Sequence, residues 1–184
     1  FFAEMQRILQ KYEDDGVFPV ARFAGCEADD VAAYIVSKRK RFNNIWLMSS
    51  DRDWDLLIDK NVSRFSYVTR KEITLDNWSE HYDFTPTEYI SIKCLMGDSG
   101  DNVPGVPGIG PKRALSLVQE YGDTYDIIAS LPISSKYKYI SALNEFGAAN
   151  LMLNYKLMDL VSYCEEALGK EYCEKIDTLL GDYL

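Results

Sequence analysis

Histidine is almost missing from this chain. His81 is the only one among 184 residues, and it lies in SEHYD, away from other reactive groups, so a surface or helix-end role suits it better than general-base chemistry. Cysteine is sparse and unpatterned. Cys26, Cys94, Cys164 and Cys173 form no CxxC pair and no framework spacing, which predicts reduced thiols, as in a cytosolic protein. No run of 18 apolar residues occurs and no signal peptide opens the chain, so membrane spanning and export have no support. Basic residues are outnumbered, 20 against 29 acidic for a formal charge of −9. That argues against a general polyanion binder but leaves room for a local basic patch, or for metal ions that reverse the sign of an acidic site. GxxxxGK[ST] is absent, the dinucleotide fingerprint lacks its strand-turn-helix context, and no twelve-residue EF-hand loop occurs. An initiator methionine is also absent. The chain opens directly in FFAEMQRILQKYEDD, a helical pattern with one apolar side, as a processed protein or a fragment would.

What is present is an ordinary globular composition, 47% apolar, enough for one substantial core or two small ones. After the opening helix and Gly16, VFPVARF predicts a short strand. EADDVAAYIVSKR predicts a helix with acids at its start and the basic run Lys38 to Arg41 at its end, an order that complements the helix dipole. NNIWLMSSD predicts a buried strand with Trp46 in the core, DRDWDLLID a helix or turn, and VSRFSYVTRKEITL a hairpin whose Arg64, Arg70 and Lys71 are candidate DNA contacts. From TPTEYISIKCLMG onward the texture is helical, with Pro86 at a start and Gly97 at a stop. A boundary near residue 84 therefore divides a mixed α/β portion, 1–83, from a helical portion, 84–184, with a core that can run across both. The 13 tyrosines are dispersed, which favours packing over one stacking platform.

Seven acids fall in three compact groups at predicted element ends: Glu27, Asp29 and Asp30 in GCEADD, Asp51 and Asp53 in SSDRDWD, and Asp98 and Asp101 in GDSGDN. Asp98 and Asp101 face the same way if their segment takes a helical turn, and Asp51 and Asp53 do so if the strand continues through them. Crowded carboxylates repel unless cations compensate. Mg²⁺, with Mn²⁺ as a substitute, suits an all-oxygen set, and two such ions about 4 Å apart would serve phosphodiester hydrolysis. Each group also has a plain alternative, as a helix start, a solvated turn or a loop cap.

VPGVPGIGPKRAL, following directly, is a turn of another kind. Its glycines permit close backbone approach, Pro111 suits a first helical turn, and Lys112 and Arg113 add charge at that helix start. Such a turn can hold a nucleic-acid phosphate without reading bases, or serve as a rigid connection between helices.

GCEADDVAAYIV, WLMSSDRDWDLLI and GDSGDNVPGVPGIGPKRALSLVQEYG, in that order, resemble the structure-specific 5′ nuclease family of flap endonucleases and 5′ to 3′ exonucleases, most closely the bacteriophage type. The resemblance implies an α/β architecture: the C-terminal part of a PIN-like nuclease domain, then a helical domain with a helix-three-turn-helix. It implies that Glu27, Asp29, Asp30 and Asp51 surround one Mg²⁺ while Asp53, Asp98 and Asp101 surround a second. It further implies a potassium-assisted phosphate site around Gly108, Ile109 and Gly110, beside Lys112 and Arg113. The expected substrates are 5′ flaps, nicked or gapped duplexes and RNA/DNA primer junctions, cleaved in a bacterial or phage-infected cytoplasm by a monomer. The family's first metal-binding strand and its basic arch have no counterpart before EADD, so this reading expects a missing front segment, or a complementary chain that carries it. Two alternatives stay open: a DNA-binding fragment without catalysis, and a metal-dependent phosphatase or phosphotransferase acting on a small substrate.

Overall fold

The computed structural model describes residues 1–16, 18–38 and 43–181. A mixed α/β region is followed by a mostly helical one. Helices α1 (Phe2–Asp14) and α2 (Ala28–Ser37) precede strand β1 (Ile45–Met48), a 3₁₀ turn (Asp53–Leu57), and strands β2 (Val62–Ser66) and β3 (Lys71–Ile73). A second 3₁₀ turn (Trp78–Glu80) leads into α3 (Pro86–Met96), α4 (Pro111–Tyr121), α5 (Thr124–Ala129), α6 (Lys138–Met158) and α7 (Leu160–Gly181). The chain forms two compact units, residues 1–45 with 161–184, and residues 46–160.

In the first unit, α1 forms where its periodicity predicts, but none of its residues is buried, and Phe1 and Phe2 stand exposed. The strand expected at VFPVARF is not formed over residues 18–23, which run as irregular chain; residue 17 lies outside the described residues. Pro19 within so short a segment removes a ladder donor, which favours the irregular path. Helix α2 buries Ala32, Ala33, Tyr34 and Val36. The Tyr34 hydroxyl donates to Asp177 at 2.9 Å, and Phe23 stacks on Tyr172 with ring centres 4.6 Å apart. Of the basic run after α2, Lys38 lies 3.6 Å from Glu165; Arg39, Lys40 and Arg41 lie outside the described residues.

The second unit holds the sheet, in the order β1-β2-β3. The hairpin pairs antiparallel with Arg64 opposite Ile73 and Ser66 opposite Lys71. Trp46 is 49% exposed rather than in the core. Alternation along an edge strand explains it, because Leu47 takes the inward position. The core does run across residue 84: Ile58, Ile73 and Trp78 pack with Tyr89, and Phe84 lies against them. A larger helical core gathers Ile92, Leu95, Ile109, Leu117, Ile127, Leu143 and Leu151. Thr85 caps α3, its hydroxyl accepting from the Glu88 amide while Glu88 accepts from the Thr85 amide. His81 ends the second 3₁₀ turn, its amide donating to Trp78 O. All four cysteines are free thiols. Among the described residues no helix is long and apolar enough to cross a membrane.

Candidate metal centre

Two loops of the second unit build the centre. After β1 the chain leaves the sheet through Ser49 and Ser50. The Asp51 amide donates to Ser49 Oγ at 3.1 Å and the Asp53 amide to Asp51 Oδ1 at 3.0 Å. Asp51 and Asp53 are therefore set by an Asx turn opening a 3₁₀ turn, not by a continued strand.

The second loop follows α3. Asp98 and Asp101 do not share a helical turn, as the spacing suggested. Asp98 and Val103 instead exchange two backbone hydrogen bonds of 2.9 and 2.7 Å, and the tight loop between them turns Asp101 back. Asp98 Oδ1 accepts from the Gly100 amide at 2.9 Å. The loop closes on two glycines. Gly97 has φ +71°, and a Cβ there would stand 2.3 Å from Gly105 N; one at Gly105 would stand 1.9 Å from Met96 O. Asn154 of α6 ties the loop down, its Nδ2 donating to Cys94 O at 2.9 Å and Pro104 O at 2.8 Å.

Asp53, Asp98 and Asp101 thereby each bring a carboxylate oxygen within 4.8 Å of the others. Such a set of hard oxygen donors fits Mg²⁺ or Mn²⁺. A fourth residue belongs to the centre: Lys93 of α3 donates to Asp53 Oδ1 and, at 3.0 Å, to Asp98 Oδ2. Burial alone would lower the pKa of the Lys93 ammonium, but its bonds to Asp53 and then Asp98 outweigh that and hold it above the ordinary lysine value. Burial would raise Asp98, but Lys93 and the Gly100 amide hold it below the usual carboxylate range. One ammonium among three carboxylates leaves an excess of negative charge for a divalent cation.

Lys93 carried no signal of its own in the sequence. Its position inside the apolar run YISIKCLM is the clue, because a lysine buried between Ile92 and Cys94 needs a carboxylate partner. Asp55 likewise has no local signal, and Arg64 has a different role from the one expected. Arg64 is 3% exposed and paired with Asp55, so it is not a DNA contact. The alternation of β2, with Val62, Arg64 and Ser66 inward, is the pattern that would have revealed it. The third acid group lies in the first unit. Glu27 and Asp30 form the capping box of α2, with the Glu27 amide donating to Asp30 Oδ2 at 3.3 Å; Asp29 sits in the first turn.

The glycine turn reaches α4 through Gly108, at φ +78°. Ile109 anchors it, with its side chain in the helical core and its amide donating to Val106 O at 3.1 Å. Arg113 Nη1 donates to Gly108 O, and the guanidinium lies 4.8 Å over the Tyr139 ring. Lys112 and Arg113 are exposed at the start of α4.

Residues 84–175 match the family model described as 5′-3′ exonuclease, C-terminal SAM fold. The chain belongs to the structure-specific 5′-3′ nuclease family. A flap endonuclease of Escherichia phage T5 is 43% identical to this family member over 169 residues, covering 91% of the chain and 58% of the relative. A solved structure of a mutant T5 5′-exonuclease superposes with a TM-score of 0.84 at 41% identity, covering 91% of this chain and 70% of that one. A T5 flap endonuclease solved as a pseudo-enzyme-product complex with DNA and metal ions gives a TM-score of 0.80 at 41% identity, covering 86% and 60%. The chain thus spans somewhat over half the length of that curated flap endonuclease.

Proposed function

We propose that the protein carrying this chain is a metal-dependent 5′ to 3′ exonuclease and flap endonuclease acting on branched, nicked or RNA-primed DNA. The observation that carries this reading is the convergence of Asp53, Asp98 and Asp101, the last two on a loop that runs directly into a glycine turn. In this reading those carboxylates hold one divalent ion, and Glu27, Asp29, Asp30 and Asp51 serve a second. Bound there, Mg²⁺ or Mn²⁺ would supply Lewis-acid stabilisation of the phosphodiester and a more acidic water. The chain's own part is to set the ligands and to fix the register of the duplex. Lys93 shares its charge between Asp53 and Asp98 and keeps the two carboxylates close. The backbone of Gly108, Ile109 and Gly110, with Lys112 and Arg113, would hold a downstream phosphate, with K⁺ as a candidate helper; the Ile109 amide already serves Val106. Only a few residues separate Asp101 from that turn, which ties the held phosphate to the cut one.

The same reading assigns residues 1–83 to part of a PIN-like nuclease domain and 84–184 to a helical DNA-binding domain with a helix-three-turn-helix. The family model's start at residue 84 supports that boundary. A cytoplasmic monomer is the matching expectation.

The test is Asp101→Asn in the full-length protein, assayed on a 5′-labelled flap with Mg²⁺. Cleavage should fall by at least about a hundredfold, the scale on which one group stabilising transition-state charge contributes, while duplex binding persists. Unchanged turnover at saturating Mg²⁺ would defeat the role given to Asp101. Junction binding without hydrolysis in the unmodified protein would favour the binding-module alternative.

A further inference from the structure

The loop that presents Asp51 and Asp53 is fixed at both ends by one buried side chain. Arg64 donates through Nε to Asp55 Oδ1 and through Nη2 to Asp55 Oδ2, the latter at 2.9 Å. Its remaining nitrogen, Nη1, donates to Ser49 O at 3.0 Å. Ser49 lies two residues before Asp51, and Asp55 lies two residues after Asp53. The guanidinium therefore spans the base of the carboxylate loop, and the candidate ligands lie on the chain between its two anchors. Asp55 is 1% exposed and is held from a third direction by the Tyr82 hydroxyl. Tyr82 is itself packed on Trp78, with ring centres 4.4 Å apart.

We propose that Arg64 is a positioning residue for the metal centre, holding Asp51 and Asp53 at the spacing that lets Asp53 share an ion with Asp98 and Asp101. The inference rests on the reading of that centre as a divalent-metal site. Two features favour it over a plain structural strut. A buried ion pair is a poor source of net stability, because its desolvation cost roughly cancels its attraction and apolar replacements are often neutral. This one also pairs with both oxygens of Asp55 at one loop end while a third nitrogen, fixed in the same plane, reaches Ser49 O at the other; the single nitrogen of a lysine, on a shorter side chain, cannot reproduce that fork. The position that the fork fixes is therefore the loop between Ser49 and Asp55.

The experiment is a Mn²⁺ titration of the full-length protein, read by the electron paramagnetic resonance signal of free Mn²⁺, with circular dichroism as the check on folding. Wild type, Arg64→Lys, Tyr82→Phe and Asp53→Asn are compared. Arg64→Lys keeps the charge beside Asp55 and loses the bond to Ser49 O. Its Mn²⁺ affinity should fall about tenfold, the lower end of what groups supporting metal ligands contribute. Tyr82→Phe should weaken binding less, by about fivefold, and Asp53→Asn should weaken it most. A folded Arg64→Lys protein that binds Mn²⁺ as tightly as wild type overturns the proposal, since a strut would lower stability and leave the affinity of the folded protein alone. If Arg64→Lys does not fold, Tyr82→Phe decides, and wild-type affinity in that variant overturns the proposal. Wild-type protein that takes up no Mn²⁺ overturns the metal-centre reading, and this inference with it; Mn²⁺ binding that is lost in Asp53→Asn but unaltered in Arg64→Lys overturns this inference alone.

Discussion

GCEADD and GDSGDN both place acids at an element end, yet the two segments use them differently. In the first, the acids serve the helix they begin: Glu27 and Asp30 satisfy each other's backbone amides at the start of α2, the ordinary role of acids beside free helix N–H groups. In the second, Asp98 and Asp101 follow a helix end, where the dipole disfavours negative charge, and a loop turns them towards Asp53 and Lys93. An acid where the local dipole favours it needs no further explanation. Acids gathered against that preference, around one buried lysine, indicate a site whose charge favours a cation.

The largest expected effect on this contrast comes from Gly97→Ala. The new methyl group would meet Gly105 N at 2.3 Å on a backbone already at φ +71°. The other two nearest atoms, Val103 O and Pro104 C, are backbone as well, so no side chain can swing aside. A destabilisation of at least about 3 kcal/mol is expected, measured by urea unfolding, together with loss of Mn²⁺ uptake. Unfolding at the wild-type midpoint would show that the loop relaxes freely and does not hold the acids in place.

Lys93→Met comes next. Without metal it leaves Asp53 and Asp98 close together with their shared cation removed, at a cost of about 2 kcal/mol after allowing for their partial exposure. The pH dependence has a definite sign. The folded Lys93 pKa lies above the ordinary lysine value, so its contribution is complete below about 10 and disappears as pH rises through the folded value. The folded Asp98 pKa lies below the carboxylate range, so its contribution is complete above about 4 and disappears as pH falls through the folded value. The stability gap between wild type and Lys93→Met, followed by thermal melting in EDTA, should be widest near neutrality and close at both extremes. A gap independent of pH would mean that Lys93 acts through packing alone.

The sequence made the ends of elements easy to read and their meeting places hard. Thr85, Pro86 and Gly97 marked α3, and alternation marked the β2–β3 hairpin, because caps and periods are local. The three acid groups were visible as carboxylates at such ends. What brings Asp53 to Asp98 is not local: Lys93 reaches across 40 positions to Asp53, and Asn154 reaches back 60 to Cys94. The local guesses for how each pair is aligned, a helical turn at Asp98 and a continued strand at Asp51, both failed. In each case hydrogen bonds within the loop set the conformation. Trp46 was misplaced for a related reason, since an apolar strand does not reveal from its own residues whether a second neighbour covers it.

The smallest expected effect tests the other side of the comparison. Asp30→Ala removes the acceptor for the Glu27 amide and an acid from the first turn of α2. Loss of a capping partner costs about 1 kcal/mol, and as a cap it should cost the same in EDTA as in saturating Mg²⁺. If Asp30 also helps to hold a second ion, metal stabilises wild type more than the variant, and the difference between their melting temperatures widens when Mg²⁺ is added. The metal-dependent part of the Asp30 effect thus measures whether GCEADD serves only its helix or, like GDSGDN, a cation as well. A difference that stays constant from EDTA to saturating Mg²⁺ would remove Asp30 from the proposed second site and leave Glu27, Asp29 and Asp51 to account for it.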